Sequence, residues 1–459
     1  MVYFFDPFGC AKNQVDAEIM MDRLNETGWR GTTDPSGADL IIVNSCGFIE
    51  AAKRESINAV LFWKKQYPEK KILLAGCLTQ RYRTELEEDL SEADGFLGCA
   101  ELEMAAEKAV ELFRASHIKK PIKTESSPGL RPLLGFPGSA YVKVSEGCNN
   151  RCSFCAIPII RGSLHCRPIP DIVEECRQLL GRGVKELCLI GQDLASYDSL
   201  VSLLEAIAVL SGDFWVRLLY LHPDHFPPDI LKVLETDNRF LPYFDIPFQH
   251  ASPRLLSLMG RNGSGKSYIR LLDSIRSRLP DAVIRSTFLV GFPGETEEDF
   301  NMLLDFQEQA CFDWLGVFCW SREEGTSAYS MKGRISKKTA ARRKAITEER
   351  QIPITEKKMD RFVGRTMDVL IEEEFTETPA PNDGPQSVRR ELAHPEKNTG
   401  LWLGRVFCQA PEVDGATVVQ MAVPAEVASA AGGTSPVPGA MIRGTVNARK
   451  GFDFEVRVQ

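Results

Sequence analysis

At 459 residues the chain is too long for one ordinary core, so two or three domains are expected. Hydrophobic content of 43% and charged content of 26% are those of a water-soluble globular protein. The net charge of −8 argues against holding nucleic acid by bulk attraction and leaves only a local basic patch open.

The opening MVYFFDPFGC carries Asp6 and no basic segment before its apolar residues, so a signal peptide is not expected. No apolar run reaches the roughly 18 residues that would span a bilayer, and a cytoplasmic protein is the simplest reading. In that compartment 13 cysteines speak for metal ligands and buried thiols rather than disulfides. The apolar runs VYFF, LIIVN, KILLAG and GFLG alternate with helical patterns near 14–27, 50–66, 80–90 and 100–115. That rhythm predicts an open parallel α/β domain over residues 1–117. IKKPIKTESSPGLRPLLGFP, residues 118–137, reads as a linker.

From Tyr141 the runs YVKVS, LCLIG, WVRLLYL, YFDIPF, VIRSTFLVG and DWLGVFCW predict six βα units within residues 138–361. Their count and spacing match three quarters of an eight-unit barrel, a (β/α)6 partial barrel, with a doubly wound sheet as the alternative. Residues 331–361, with eleven Lys/Arg against four Asp/Glu, read as a helical connector with a solvated face. Beyond it, residues 362–459 hold five short strand patterns between Pro-, Gly- and Ala-rich loops, which predicts a small all-β barrel. Nine Lys/Arg and thirteen Asp/Glu leave that barrel at −4, poorly charged for gripping RNA by its phosphates.

The chemistry concentrates in cysteines. In GCNNRCSFC, Cys148, Cys152 and Cys155 follow a predicted strand directly, at the end of a βα unit where catalytic groups collect. Three thiolates in one loop can wrap a cubic iron–sulfur cluster and leave its fourth iron without a protein ligand. A structural zinc site completed from elsewhere is the competing reading, although zinc more often takes two separated CxxC pairs. Cys10, Cys46 and Cys77 each lie just beyond a predicted parallel strand, so they would converge at one sheet edge. Either they hold a second cluster or they fill core positions. Gly191 and Gln192 at one strand exit, and Gly291 and Gly294 at another, are candidate walls of a cofactor pocket. GRNGSGKS, Gly260–Ser267, satisfies the P-loop pattern, but PRLLSLM before it has helical spacing and no β-branched residue. It is read as a link between two helices.

A CxxxCxxC loop after the first strand of a βα barrel resembles the signature of the radical S-adenosylmethionine (SAM) superfamily. The resemblance implies that Cys148, Cys152 and Cys155 hold a 4Fe-4S cluster whose open iron binds SAM, which an electron then cleaves to a carbon radical. GCAKNQVDAE, NSCGFIEAAKRES and AGCLTQRY resemble the cluster-binding segments of methylthiotransferases, which implies a second 4Fe-4S cluster on Cys10, Cys46 and Cys77. RLLYLHPDHFP, PYFDIPFQHAS and GRVFCQAPEVDG resemble the RimO type within that family. That branch implies a TRAM domain at the end of the chain and an aspartate of small-subunit ribosomal protein number twelve as substrate. It also implies a monomer served by an electron donor such as flavodoxin or ferredoxin. Thiomethylation of isopentenyl-adenosine in tRNA is the alternative, and a non-catalytic iron–sulfur or zinc nucleic-acid-binding protein a further one. Long insertions near 376–400 and 424–439 depart from the family pattern. The C–H step needs no acid–base pair, so His222, His225 and His250 are read as structural or pocket-lining. Cys99, Cys166, Cys176, Cys188, Cys311, Cys319 and Cys408 are read as structural.

Overall fold

The computed structural model describes residues 1–113, 131–375, 400–421 and 436–458. Most of the expected linker and both expected insertions lie largely outside the described residues.

The N-terminal strands are β1 (Val2–Pro7), β2 (Arg30–Thr32), β3 (Leu40–Ser45), β4 (Lys71–Gly76) and β5 (Gly95–Gly98). They form one parallel sheet in the order β2-β1-β3-β4-β5. The run LIIVNS is buried along its whole length because helices cover both faces of β3. β2 was not expected: RGT is a short, mostly exposed edge with no apolar run to announce it. The helices Ala11–Glu26, Glu50–Gln66, Cys77–Asp89 and Ala105–Leu112 stand where the sequence places them, the last preceded by a short 3-10 turn.

The central strands are β6 (Ser139–Lys143), β7 (Ser145–Glu146), β8 (His165–Cys166), β9 (Glu186–Ile190), β10 (Trp215–Leu218), β11 (Phe240–Asp245), β12 (Val283–Val290) and β13 (Trp314–Cys319). Six of them make a parallel sheet in the order β13-β12-β11-β10-β9-β6. The order never turns back, so the doubly wound alternative falls and the partial barrel stands. YVKVS is not one strand, since Ser145–Glu146 leaves the sheet to pair with His165–Cys166. GRNGSGKS joins the helix Pro253–Leu258 to the helix Gly265–Arg278, whose start Ser264 and Ser267 seal with a capping box.

The helix Lys337–Asp360 corrects the expectation of a simply solvated connector. Arg343, Thr347, Gln351 and Thr355 recur every fourth residue and are buried. Gln351 donates to the Phe312 carbonyl (2.8 Å) and Thr355 to the Asp313 carbonyl (2.9 Å). A polar seam of this kind leaves no hydrophobic periodicity to read.

The C-terminal strands β14 (Thr366–Glu374), β15 (Leu401–Val406), β16 (Thr417–Met421), β17 (Met441–Lys450) and β18 (Asp453–Val458) close into a five-stranded barrel, consistent with a TRAM domain. We propose 1–117, 138–361 and 362–459 as the domains; β6 begins at Ser139 and β14 at Thr366.

The closed barrel covers the inner face of the open sheet. Alternate residues of the central strands, among them Tyr141, Cys188, Trp215, Tyr243 and Trp314, pack in one core with Val369, Trp402 and Val406. The segment 407–414 reaches furthest in. Trp314 donates to the Cys408 carbonyl (2.8 Å), Arg217 to the Phe407 carbonyl (2.8 Å) and Tyr243 to Asp414 (2.5 Å). Glu186 is fully buried between Arg217 (2.7 Å) and Arg405 (2.6 Å). Burial alone would raise its carboxyl, but the two guanidiniums hold it down to about 2.

Removing this carboxylate leaves the buried Arg217 with no carboxylate partner among the described residues, while Arg405 keeps only Glu372. Glu186→Gln should cost about 3–5 kcal/mol at pH 7 in urea unfolding. The wild-type contribution is complete above the ordinary glutamate pKa and lost as pH falls from about 4.5 toward 2. Glu186→Gln should flatten that part of the stability–pH curve.

Candidate functional site

Cys10, Cys46 and Cys77 stand at the carboxyl ends of β1, β3 and β4. In a sheet of this order the ligand crevice opens where the order reverses, between β1 and β3. Cys10 and Cys46 flank that point and Cys77 is one strand further along. Asn13 fastens the loops: its amide donates to the carbonyls of Ser45 (2.9 Å) and Phe8 (3.3 Å). Its Oδ1 accepts from the Cys77 thiol (3.4 Å). A side chain at Gly47 would meet the Cys77 carbonyl at 2.7 Å, so glycine lets the Cys46 loop press against Cys77.

The thiols of this set differ. Burial pushes Cys46 up to about 12, with Cys77 and Cys10 near enough to add to the rise. Cys77 is drawn down to about 7 by a hydrogen bond from the Cys99 thiol, helped by the Arg161 guanidinium. Cys99 thus lies beside the set, where it also meets the Ile160 carbonyl at 3.8 Å.

The second set lies on the loop after β7. Gly147 has φ +74, and a Cβ there would stand 2.1 Å from the Ser163 carbonyl, which confines the position to glycine. The Cys148 amide donates to Gly162 (3.2 Å) and the Ser153 amide to Met259 (2.9 Å), which fixes the loop at two points. Asn150 anchors it further, donating to Asp193 (2.8 Å) and meeting His225 Nε2 at 2.8 Å. Burial raises Cys155 to about 12 and raises Cys148 as well.

Among the described residues, Asp193, His222 and His225 form the one group of three whose ligand atoms gather within 4.8 Å of one another. Most of their atoms are engaged otherwise, although His222 Nε2 has no hydrogen-bond partner among the described residues. Asp193 accepts from Ala195, Ser196, His222 and Asn150, and His222 Nδ1 accepts from the Asp224 amide. This knot supports the cysteine loop. Both cysteine sets are wider than the roughly 4 Å sulfur spacing that one tetrahedral zinc ion imposes.

Between the sets runs a chain of buried charge. Arg161 donates to Cys77 (3.1 Å), Asn13 (3.0 Å) and Asp16 (2.8 Å) of the N-terminal part, and to Glu146 (3.0 Å) of the cysteine loop. Lys143 pairs with Asp16 and with Glu146 (2.7 Å). Burial would raise Glu146, but Lys143 and Arg161 hold it to about 2. Gln192 donates to Glu146 (2.6 Å), while its own Oε1 and the Ser145 hydroxyl are buried without a partner among the described residues. Lys12, two residues past Cys10, is buried, with its ammonium over the Tyr220 ring; burial lowers it to about 8.

The structure distributes the four candidate pocket residues unevenly. Gly191 faces Ser145, where a Cβ would come within 2.6 Å of the hydroxyl, and Gln192 reaches the cysteine loop. Gly291 packs against Ala340 and donates its amide to Glu295; Gly294 donates to the Gly333 carbonyl (2.8 Å). These two contacts belong to the turn before the helix Glu297–Ala310. His250 is buried 3.5 Å from Glu295 in that turn. Sequence reasoning missed Lys12, Asn13, Asp16, Glu146 and Arg161. Burial alone marks them: Lys12, Asn13 and Asp16 share one face of the first long helix and are buried, which their residue types do not announce.

Two family models match, the uncharacterized protein family UPF0004 over residues 2–98 and the radical SAM superfamily over residues 142–306. Among solved structures, the radical SAM methyltransferase TsrM of Kitasatospora setae shares the fold at a TM-score of 0.54 and 15% identity, over 72% of this chain and 76% of that one. A "Ribosomal protein uS12 methylthiotransferase RimO" from Treponema denticola is 44% identical over 98% of this chain and 99% of its own. Those from Aquifex aeolicus (40%, over 90% and 89%) and Carboxydothermus hydrogenoformans (38%, over 90% and 92%) are similar along nearly the same length. The chain belongs to the RimO family of radical SAM methylthiotransferases. Membership implies SAM and a 4Fe-4S cluster. The donor chemistry fits: soft thiols in threes, spaced too widely for one ion, beside unpartnered buried polar atoms of Ser145 and Gln192.

Arg161 ties the two halves of this site. Arg161→Met should lower the stability of the metal-free protein by about 3–5 kcal/mol in anaerobic urea unfolding, because Asp16 loses a buried partner. Arg161→Lys should recover only part, since an ammonium cannot meet four acceptors spread across a planar fork.

Proposed function

We propose that this chain attaches a methylthio group to the β-carbon of an aspartate in small-subunit ribosomal protein number twelve (uS12). The observation that carries the reading is the placement of two cysteine triplets at facing strand ends, joined through Arg161. The substrate follows from relatives 38–44% identical over about nine-tenths of the chain or more. The terminal barrel, at −4, also suits a basic ribosomal protein better than an RNA backbone.

In this reading Cys148, Cys152 and Cys155 hold one 4Fe-4S cluster, and Cys10, Cys46 and Cys77 hold a second. When bound, the clusters and SAM would supply one-electron cleavage, hydrogen abstraction and the sulfur and methyl to be transferred. The chain's own task is to position and to exclude water. Gly191 makes room for the Ser145 hydroxyl beside the cysteine loop, and Gln192 and Ser145 offer a ligand polar atoms. Asn150, Asp193 and His225 keep that loop in one conformation. Arg161 and Lys143, neutralised by Asp16 and Glu146, fix the distance between the triplets without leaving a net charge of their own. We place the protein in the cytoplasm as a monomer, with a flavodoxin- or ferredoxin-type electron donor.

Anaerobic metal analysis should find about eight irons per chain. Cys148→Ser should abolish SAM cleavage, while Cys46→Ser should keep some cleavage and lose sulfur insertion. Offered ribosomes and tRNA side by side with SAM and reductant, the enzyme should add the mass of a methylthio group to uS12. Modified adenosine together with unmodified uS12 would overturn the substrate assignment.

A further inference from the structure

Most buried cations around the two cysteine sets have carboxylate partners, Arg261 near Cys155 being an exception that donates to the Pro247 carbonyl (2.6 Å). Arg161 and Lys143 pair with Asp16 and Glu146, Arg285 with Asp245 and Asp414, and Arg81 and Lys53 with Glu323. Lys12 differs. It is 7% exposed, and among the described residues no carboxylate lies within ion-pair distance of its ammonium. Its one close contact is the face of Tyr220, with the ring centroid 2.9 Å away.

Tyr220 is itself unusual. It lies just past β10 with φ +64, a conformation that disfavours a bulky side chain and persists only where the surroundings impose it. Its amide is held by Asp245 (3.2 Å) and its carbonyl by the Leu194 amide (2.9 Å). Tyr220 is half-buried, and Lys12 keeps 7% of its surface exposed beside it. Cys10, Asp245 and Glu146 attract the ammonium only from beyond ion-pair distance, and a strained aromatic does not replace a direct carboxylate contact. Among the described residues the ammonium's one direct contact is the ring, which leaves its N–H donors for an arriving anion.

Resting on the proposed substrate, we infer that Lys12 receives the side-chain carboxylate of the target aspartate. The aspartate β-carbon is bonded directly to that carboxylate, so anchoring one aims the other. Lys12 follows Cys10 by two residues, on the segment that would present the second cluster. It would hold the reacting carbon within reach of that cluster. A cation there also discriminates aspartate from asparagine, the neutral residue of the same shape.

The test uses cluster-loaded enzyme and labelled uS12 carrying either its target aspartate or asparagine in that place, with binding measured anaerobically in the presence of SAM. Wild type should bind the aspartate form about 100-fold tighter than the asparagine form. Lys12→Met, compared at equal iron content, should bind both forms equally, at the level of wild type with asparagine. Lys12→Arg should retain part of the preference. SAM affinity, measured separately, should not change in Lys12→Met. An undiminished preference in Lys12→Met, or a matching loss of SAM affinity, would overturn the inference and, in the second case, assign the cation to the cofactor's carboxylate. Failure of wild type to modify uS12 at all would instead overturn the substrate reading beneath it.

Discussion

A parallel sheet of six strands that stops short of closing has one face clothed by its own helices and another with nothing of its own to cover it. That uncovered face governs the architecture. Tyr141, Cys188, Trp215, Tyr243 and Trp314 alternate with residues that pack on the helices, and the strand period of two forces both sets to be buried. The terminal barrel covers one part of the inner face, and Ala11 and Val15 of the first long helix reach the same core. The cysteine sets meet because both neighbours are drawn to one apolar surface.

Charge then fixes what apolar packing leaves loose. Hydrophobic contact brings the parts together but tolerates sliding, whereas Arg161 reaching Cys77, Asn13, Asp16 and Glu146 has one geometry. The same division holds at the opposite end, where Glu186 between Arg217 and Arg405 fixes the terminal barrel. Such buried groups add little net stability and much specificity of placement, a role that suits a site assembled from segments over a hundred residues apart.

Much of this could be read from the residues alone. Apolar runs bounded by turns gave the strands of all three units, and their consecutive spacing pointed to a partial barrel. β2 escaped because three exposed residues carry no period, and YVKVS read as one strand because a sheet exit at Val144 changes no residue type. The cysteine positions were visible as motifs and as strand ends. The charged residues between them were not, because Lys12 and Asp16 look like any polar residues of an amphipathic helix until burial is known. Gly291 and Gly294 carried the same signal as Gly191, and only their neighbours show that a turn accounts for them.

The reach of segment 407–414 into the open sheet bears on how the protein is made. Synthesis runs from the N-terminus, so all six central strands leave the ribosome before the residues that line their inner face. During that interval Trp215, Tyr243 and Trp314 are exposed to water together, an aggregation hazard on a nearly finished chain. Truncation inside the terminal barrel would make the hazard permanent.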